Sequence, residues 1–391
     1  MKILHTVDYL MPTMGYQDFL LPKWNKKQNN DTYIITSNKY YPVPNYKQTW
    51  EKFLGKREQK SGWSIIDGVK ILKKKIYFEI SSRPWISNLE EEIIKIKPDI
   101  IMVHSTTSFT ALRVAFLCKK KKIPCMFDNH MIFSVVQNSL VAKLFYFFVK
   151  NYISKVISKV AYKIIGVTDE TCDYLEQVEG YKKNKLFHLP LGIDENIFYP
   201  LKKKNNKNFK IIQTGKLNDD KKPQWTASAV LELLKKGENV SLEFIGGGSS
   251  KIRAKIEDEY KKNNFLKSIK FTDFLNQKQL LVAYNNCNLT IFPEGTSLSA
   301  LEVAACKKPV IMADHQASLS RVKLGIGLTY KTGNIKDLEK KILMLIEDKN
   351  FYKKICESSY KAIRNHYTYE YISKKFINLC KKAIIKKRKY K

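Results

Sequence analysis

The chain has 391 residues, 44% of them hydrophobic and 27% charged, which excludes a disordered chain and leaves room for two domains with separate cores. Lys and Arg total 70 against 37 Asp and Glu, a formal net charge of +33, so an anionic partner is expected: nucleic acid, a phospholipid surface or a phosphorylated acceptor. No run of about 18 apolar residues occurs, which argues against a spanning helix. The opening MKILHTVDYL reads as a strand, not as the apolar region of a signal peptide. The seven cysteines (Cys118, Cys125, Cys172, Cys287, Cys306, Cys356 and Cys380) form no C-x-x-C pair and no zinc spacing. They read as buried free thiols of a reducing, cytoplasmic compartment.

In chain order, residues 2–7 form an apolar strand, followed by a loop with Pro12 and Gly15, a helix over 18–27 and a strand over 32–37. This is the opening of a nucleotide-binding α/β domain, although Gly15 alone is an ordinary turn glycine. Residues 40–83 are basic and aromatic, with two short strands near 69–72 and 76–78; a solvated insertion and an acceptor-shaping region fit equally. A helix over 85–97, a strand over 100–104, a helix over 109–120 and a strand over 124–129 follow. The last strand ends at FDNHMIFS, placing Asp128, Asn129 and His130 at its carboxyl end, where open α/β sheets bind ligands. His104 stands at a strand end in the same way. Residues 138–160 are the most amphipathic stretch. Their apolar face is expected to pack on the sheet, leaving Lys143, Lys150, Lys155 and Lys159 free to meet an anionic membrane. A strand over 163–167, a helix from 169 and a strand over 186–189 close this half, and LKKKNNKNFK is a basic linker.

The second half restarts with a strand over 209–214 ending at Gly215, then GKLNDDKK with Lys216 and Lys221. Asp219 and Asp220 read as an exposed turn, not a metal motif. A strand over 242–246 runs into three glycines, and one over 269–272 leads to Phe274 and Leu275. The stretch that organises the chain is IFPEGTSLSALEVAACKKPVIMAD: a strand over 289–292, a tight turn, a helix to about 307 and a strand over 309–312. Glu294 lies on the turn and Glu302 on the helix. Small residues (Gly295, Thr296, Ser297, Ser299) allow a ligand close to the backbone. Thr296 or Ser297 is expected to cap the helix, whose first N–H groups point into the same space. Two carboxylates can hold neutral hydroxyls while a positive helix end faces an anion. A sugar linked to a nucleotide diphosphate presents both features. Helices over 335–386 lead to the basic tail KKAIIKKRKYK.

The strand, Pro-Glu-Gly turn, Leu-Glu-x-Ala helix and Lys-Pro-Val-Ile strand, together with MGYQDFLLPKW, YIITSNKYYP and LPLGIDENIFYP, resemble the retaining GT-B glycosyltransferases of family 4, in particular those that build bacterial surface polysaccharides. The resemblance implies two Rossmann-like α/β domains facing each other across a cleft: 1–195 on the acceptor side, 196–365 binding the nucleotide sugar, and 366–391 as a last helix and basic tail returning to the first domain. It places Glu294 near the donor sugar and Glu302 on the ribose, with Gly295, Thr296, Ser297 and Leu298 in the donor site. Lys216 and Lys221 fall to the donor diphosphate beside Gly215, Lys216 standing where the family has arginine. Phe274 and Leu275 face the nucleobase, Gly15 the donor phosphates and His130 the donor sugar, with Gln17 and Asp18 on the acceptor side. Domain closure is expected to bring Gly15 and His130 against Lys216, Lys221 and Glu294. The implied activity is transfer from a UDP- or GDP-sugar, without a strictly required metal or other cofactor. The acceptor is a glycan or lipid-linked molecule in capsule, O-antigen or lipopolysaccharide synthesis, with peripheral contact to the cytoplasmic face of the inner membrane and no nucleic-acid partner. The alternatives are a nucleotide-sugar epimerase or phosphorylase of related architecture, and a basic nucleic-acid-binding protein.

Overall fold

The computed structural model describes residues 1–133, 136, 139–202, 208–295 and 297–388. The chain divides into two compact units, Met1–Gly192 joined by Tyr369–Lys391, and Ile193–Thr368. The division follows the hydrophobic cores, since Tyr369, Ile372 and Phe376 pack with Leu20, Trp24 and Ile100 of the first unit.

The first unit is built on an eight-stranded sheet: β1 (Lys2–Val7), β2 (Asp31–Ser37), β3 (Gly62–Ile66), β4 (Val69–Lys74), then, past a separate two-stranded hairpin of β5 (Ile76–Ile80) and β6 (Arg83–Ile86), β7 (Ile100–Val103), β8 (Cys125–Asn129), β9 (Ala161–Gly166) and β10 (Leu186–His188). Its order is β10-β9-β8-β7-β1-β2-β4-β3, parallel except for β3 at the edge. β7 is buried at all four positions and β8 at all five, as expected of parallel strands covered on both faces. The 40–83 region therefore extends the main sheet through β3 and β4, and the expected helix from 85 starts instead at Leu89 (Leu89–Ile96), because 83–86 pair as β6.

The second unit carries β11 (Phe209–Thr214), β12 (Val240–Ile245), β13 (Ile269–Thr272), β14 (Leu289–Phe292), β15 (Val310–Ala313) and β16 (Leu328–Tyr330), all parallel, in the order β13-β12-β11-β14-β15-β16. In each sheet the first strand lies in the middle and the order reverses beside it, between β1 and β7 and between β11 and β14. Such reversals open a crevice at the carboxyl ends, where ligands of open α/β sheets bind.

One expectation fails. The helix Leu140–Phe148 buries none of its residues, and Leu140, Val141, Leu144, Phe147 and Phe148 stand exposed rather than packed on the sheet. Phe145 and Tyr146 pack partly on the core, and the fully inward contacts come later in the same rod, from Val149, Ile153 and Ile157. Six cysteines are buried and Cys172 is partly so, all of them free thiols. Among the described residues no helix is long and apolar enough to cross a membrane.

Candidate active site

In the second unit the residues singled out from sequence gather at the carboxyl ends of β11 and β14, on the two sides of the reversal. Gly215 leaves β11 with φ 127° and Lys216 follows it, exposed. The three glycines after β12 hold this loop from behind. Leu217 N–H donates to the Gly247 carbonyl (2.7 Å), and Ser249 N–H to the Leu217 carbonyl (2.8 Å). A Cβ on Gly246 would stand 2.4 Å from the Gly215 oxygen, and one on Gly248 2.5 Å from the Leu217 oxygen. The glycines are thus needed for a backbone-to-backbone approach, at φ values of 135° and 143° that L side chains avoid. Beside this clamp lies a cavity of about 140 Å³ lined by Gly215, Gly246–Gly248, Phe271 and Asp273. Lys221 ends a short turn tied to β11, its carbonyl accepting from Gln213 Nε2 (3.0 Å), while its side chain stays exposed. Asp219 and Asp220 are exposed in the same turn.

Past β14, Glu294 is about one-third exposed, and its Oε1 lies 3.5 Å from His315 Nε2. Gly295 follows at φ 74° with His315 against its α-carbon. Thr296 lies outside the described residues. Ser297 occupies the cap position of the helix Leu298–Ala305, but its hydroxyl makes no capping bond, so of the two expected caps Ser297 does not act as one; its oxygen is buried and finds no partner among the described residues. Its carbonyl is held by Arg321 Nη1 (2.7 Å), a guanidinium whose own pKa burial lowers to about 10. Among the described residues the first N–H groups of the helix thus have no side-chain cap, next to a buried hydroxyl. Leu298 packs partly against the core of this unit. One turn on, Glu302 accepts from the buried Tyr284 hydroxyl (3.2 Å), and burial pushes its carboxyl up to about 7 despite that bond and Ser299. After β13, Phe274 is exposed and Leu275 half-buried.

The first unit finishes its sheet differently. Gly15 turns at φ 73° ahead of the helix Gln17–Lys27. Gln17 is only 3% exposed, and neither atom of its amide finds a partner among the described residues. Asp18 is pushed up to about 6 by burial, opposed by His104 and His130. His130 is half-exposed beyond β8, its Nε2 3.7 Å from Asp128 Oδ2, too far for a direct hydrogen bond. Asn129 is buried and bonded to Thr106 Oγ1 (2.6 Å) and Glu179 Oε1 (2.8 Å). His104 is enclosed and donates from Nδ1 to Asp128 Oδ2 (2.8 Å). Behind it, His5 lies 2.9 Å from His104 Nε2, Asn25 Nδ2 lies 3.1 Å from His5 Nε2, and Ser373 Oγ donates to Asn25 Oδ1 (2.6 Å). With the Asn25 amide so oriented the donors run one way: Ser373 donates to Asn25, Asn25 to His5, His5 to His104, and His104 to Asp128; burial works against a charge on His104, yet the Asp128 carboxylate raises its pKa. Burial keeps His5 well below its ordinary pKa, in agreement with that arrangement. Burial works against the Asp128 carboxylate, yet His104 and His130 hold it well below the usual range.

Several of these residues escaped the sequence reading, among them His315, Tyr284, His5 and Asn25. His315 was within reach, since it follows β15 as His130 follows β8. The others lie inside a strand or a helix, and their partners stand 18 to 99 positions away. Among the described residues no group of three His, Cys, Asp or Glu could hold a metal ion.

Comparison with known proteins agrees with this architecture. A family model for group 1 glycosyl transferases matches residues 195–362, and one for Glycosyltransferase Family 4 matches 55–197. A probable sucrose-phosphate synthase of Thermosipho melanesiensis is 25% identical over 313 residues, covering 73% of this chain and 70% of that protein. An N,N'-diacetylbacillosaminyl-diphospho-undecaprenol alpha-1,3-N-acetylgalactosaminyltransferase of Campylobacter jejuni is 28% identical over 51% of this chain, which spans only 55% of that relative. Among solved structures, Anabaena Alr3699/HepE in complex with UDP superposes over 97% of this chain and 99% of its own, with a TM-score of 0.68 at 14% identity, a likeness of fold.

Proposed function

We propose a specific reaction for a chain that belongs to the group 1 and family 4 glycosyltransferases and has the GT-B fold: retaining transfer of a sugar from a nucleoside diphosphate, UDP or GDP, to a glycan or lipid-linked acceptor in cell-surface polysaccharide synthesis. One observation carries the reading. Two exposed lysines after β11 and an uncapped helix start after β14 stand at the ends of neighbouring strands, beside two carboxylates suited to sugar hydroxyls.

In this mechanism Lys216, Lys221 and the N–H groups beyond Ser297 take up the charge that gathers on the departing diphosphate. Glu294, backed by His315, orients the donor sugar, and Glu302 accepts from the ribose hydroxyls. The bond from the anomeric carbon to the diphosphate oxygen breaks. The acceptor oxygen bonds to the same face of that carbon, and its proton passes to the leaving phosphate. Configuration is thereby retained. Lysines and helix start supply the positive charge, so transfer is expected to persist in EDTA. The acceptor side is assigned to the first unit, at the strand ends that carry His130, Gln17 and Asp18. We place the protein at the cytoplasmic face of an anionic membrane. The Campylobacter relative, whose name gives a diphospho-undecaprenol acceptor, supports a lipid-linked substrate. A soluble acceptor is the second reading, favoured by the likeness to a sucrose-phosphate synthase.

The test is thermal stability of the purified protein against UDP-, GDP-, ADP- and CMP-sugars. A selective rise names the donor base. Absence of any rise, unchanged in Glu302→Ala, sinks the donor site.

A further inference from the structure

The exposed rod of the first unit has a form that a folded protein in water rarely keeps. Ser139 caps the helix Leu140–Phe148 by accepting from Ala142 N–H (3.2 Å), and a π turn, Val149–Ile153, carries it on into Ser154–Val160. Its inner side is anchored: Val149, Ile153 and Ile157 are in the core, and the Arg83 guanidinium stacks 4.5 Å from the Phe145 ring. The outer side is apolar and open, with Leu140 74% exposed, Val141 77%, Leu144 61%, Phe147 65%, Phe148 49% and Tyr152 59%. An unpartnered face of this extent marks an interaction surface.

Charge decides what covers it. No Asp or Glu occurs between Asp128 and Asp169, whereas Lys143 and Lys155 are exposed along the rod; Lys150, expected to be free, donates instead to the Gln177 carbonyl (3.2 Å). A second copy of the chain would set lysines against lysines, between two molecules of net charge +33. A bilayer containing anionic lipid satisfies both components, taking Leu and Phe into the acyl boundary and the ammonium groups at phosphate level. The helix is held in place by its inner face, so docking requires little ordering of chain. It also begins ten residues after His130, and so leads away from the carboxyl edge of the sheet, where the acceptor side is assigned.

We propose that the outer face of Leu140–Phe148, with Tyr152, is a docking surface for an anionic lipid bilayer, bringing this edge of the first unit to a membrane-borne acceptor. The proposal rests on the lipid-linked reading above, and its failure can be told apart from that of the donor site. Flotation of the full chain with vesicles of phosphatidylcholine, with and without about a third of phosphatidylglycerol, is the experiment. Wild type should float with the anionic vesicles. Leu144→Glu with Phe147→Glu should lower the bound fraction about tenfold, and Lys143→Glu with Lys155→Glu should remove the preference for anionic lipid. Both variants should keep the wild-type thermal response to the nucleotide sugar, which reports an intact fold and donor site. Wild type that fails to float overturns the proposal. So does a Leu144→Glu, Phe147→Glu protein that floats equally well, since diffuse charge would then account for binding. A lipid-free dimer that this double variant dissociates would assign the face to a second copy instead.

Discussion

Behind the carboxyl edge of the first sheet, polar groups run head to tail from Ser373 through Asn25, His5 and His104 to Asp128, each donor meeting an acceptor, while at the edge itself the Gln17 amide and one oxygen each of Asp18 and Asp128 find no partner among the described residues. At the same edge of the second sheet the inventory is open: exposed Lys216 and Lys221, an unused Ser297 hydroxyl, a helix start with no side-chain cap and glycines bent to positive φ. Two sheets of the same topology are thus finished for different work. A satisfied buried chain rigidifies the side chains around it, because any rearrangement leaves a polar group unpaired in a poor solvent. Unspent donors at a strand end are the groups that an anion brought from outside can engage. Position at a strand end therefore locates a site, and the balance of donors and acceptors says whether it is scaffold or receptor.

Substitutions sharpen the contrast. The largest effect is expected at the open edge in turnover: Lys221→Ala should lower kcat/KM about 10²–10³-fold with an unchanged melting curve, measured by donor-dependent transfer. Equal turnover would remove Lys221 from the mechanism. At the closed edge the effect should appear in stability, because His104→Ala leaves the Asp128 carboxylate buried without its donor. Chemical denaturation at neutral pH should show a loss of about 3–5 kcal/mol. Since the Asp128 pKa is depressed, its stabilising contribution is present above the ordinary carboxylate range and is lost only as pH falls towards the lower folded value. The deficit of His104→Ala should therefore persist through mildly acid pH and shrink only below that range. Gly246→Ala, forced against the Gly215 oxygen, should cost about 1–3 kcal/mol and abolish the thermal response to nucleotide. The smallest effect is a pH dependence. Ribose hydroxyls donate to the ionised form of Glu302, so donor affinity should rise about tenfold between pH 6 and 8 as that carboxyl passes its pKa of about 7. Glu302→Gln should flatten the profile.

The sheets were legible because their strands are short, continuous apolar runs ended by Gly, Asp or His, and the Ile291–Asp314 stretch announced its strand, turn and helix by residue type. Four features were not. The 40–83 region hides β3, whose residues are mostly exposed, so that burial leaves little period to read. The Leu140–Phe148 helix has the pattern of a core helix, and periodicity cannot tell a face turned to the protein from one turned outward. The histidine chain joins groups from β1, β7, β8 and two helices, and no local spacing encodes it. The three glycines announce no partner in sequence; their backbone clamp on Gly215 and Leu217 appears only when the two loops are set side by side.

The first unit is interrupted in sequence by the second. Ile193 and Thr368 pair as a parallel bridge, so the inserted unit enters and leaves at one point. On the ribosome this reverses the usual order, in which the N-terminal domain folds first. Residues 193–368 are complete while the first 192 still wait for Tyr369, Ile372, Phe376 and the Ser373 hydroxyl to close their core. A chain stopped at Thr368 would hold a whole second unit and a first one with a missing wall. The helix from Tyr369 is thus a quality check on synthesis: only a chain translated past it can finish its first unit.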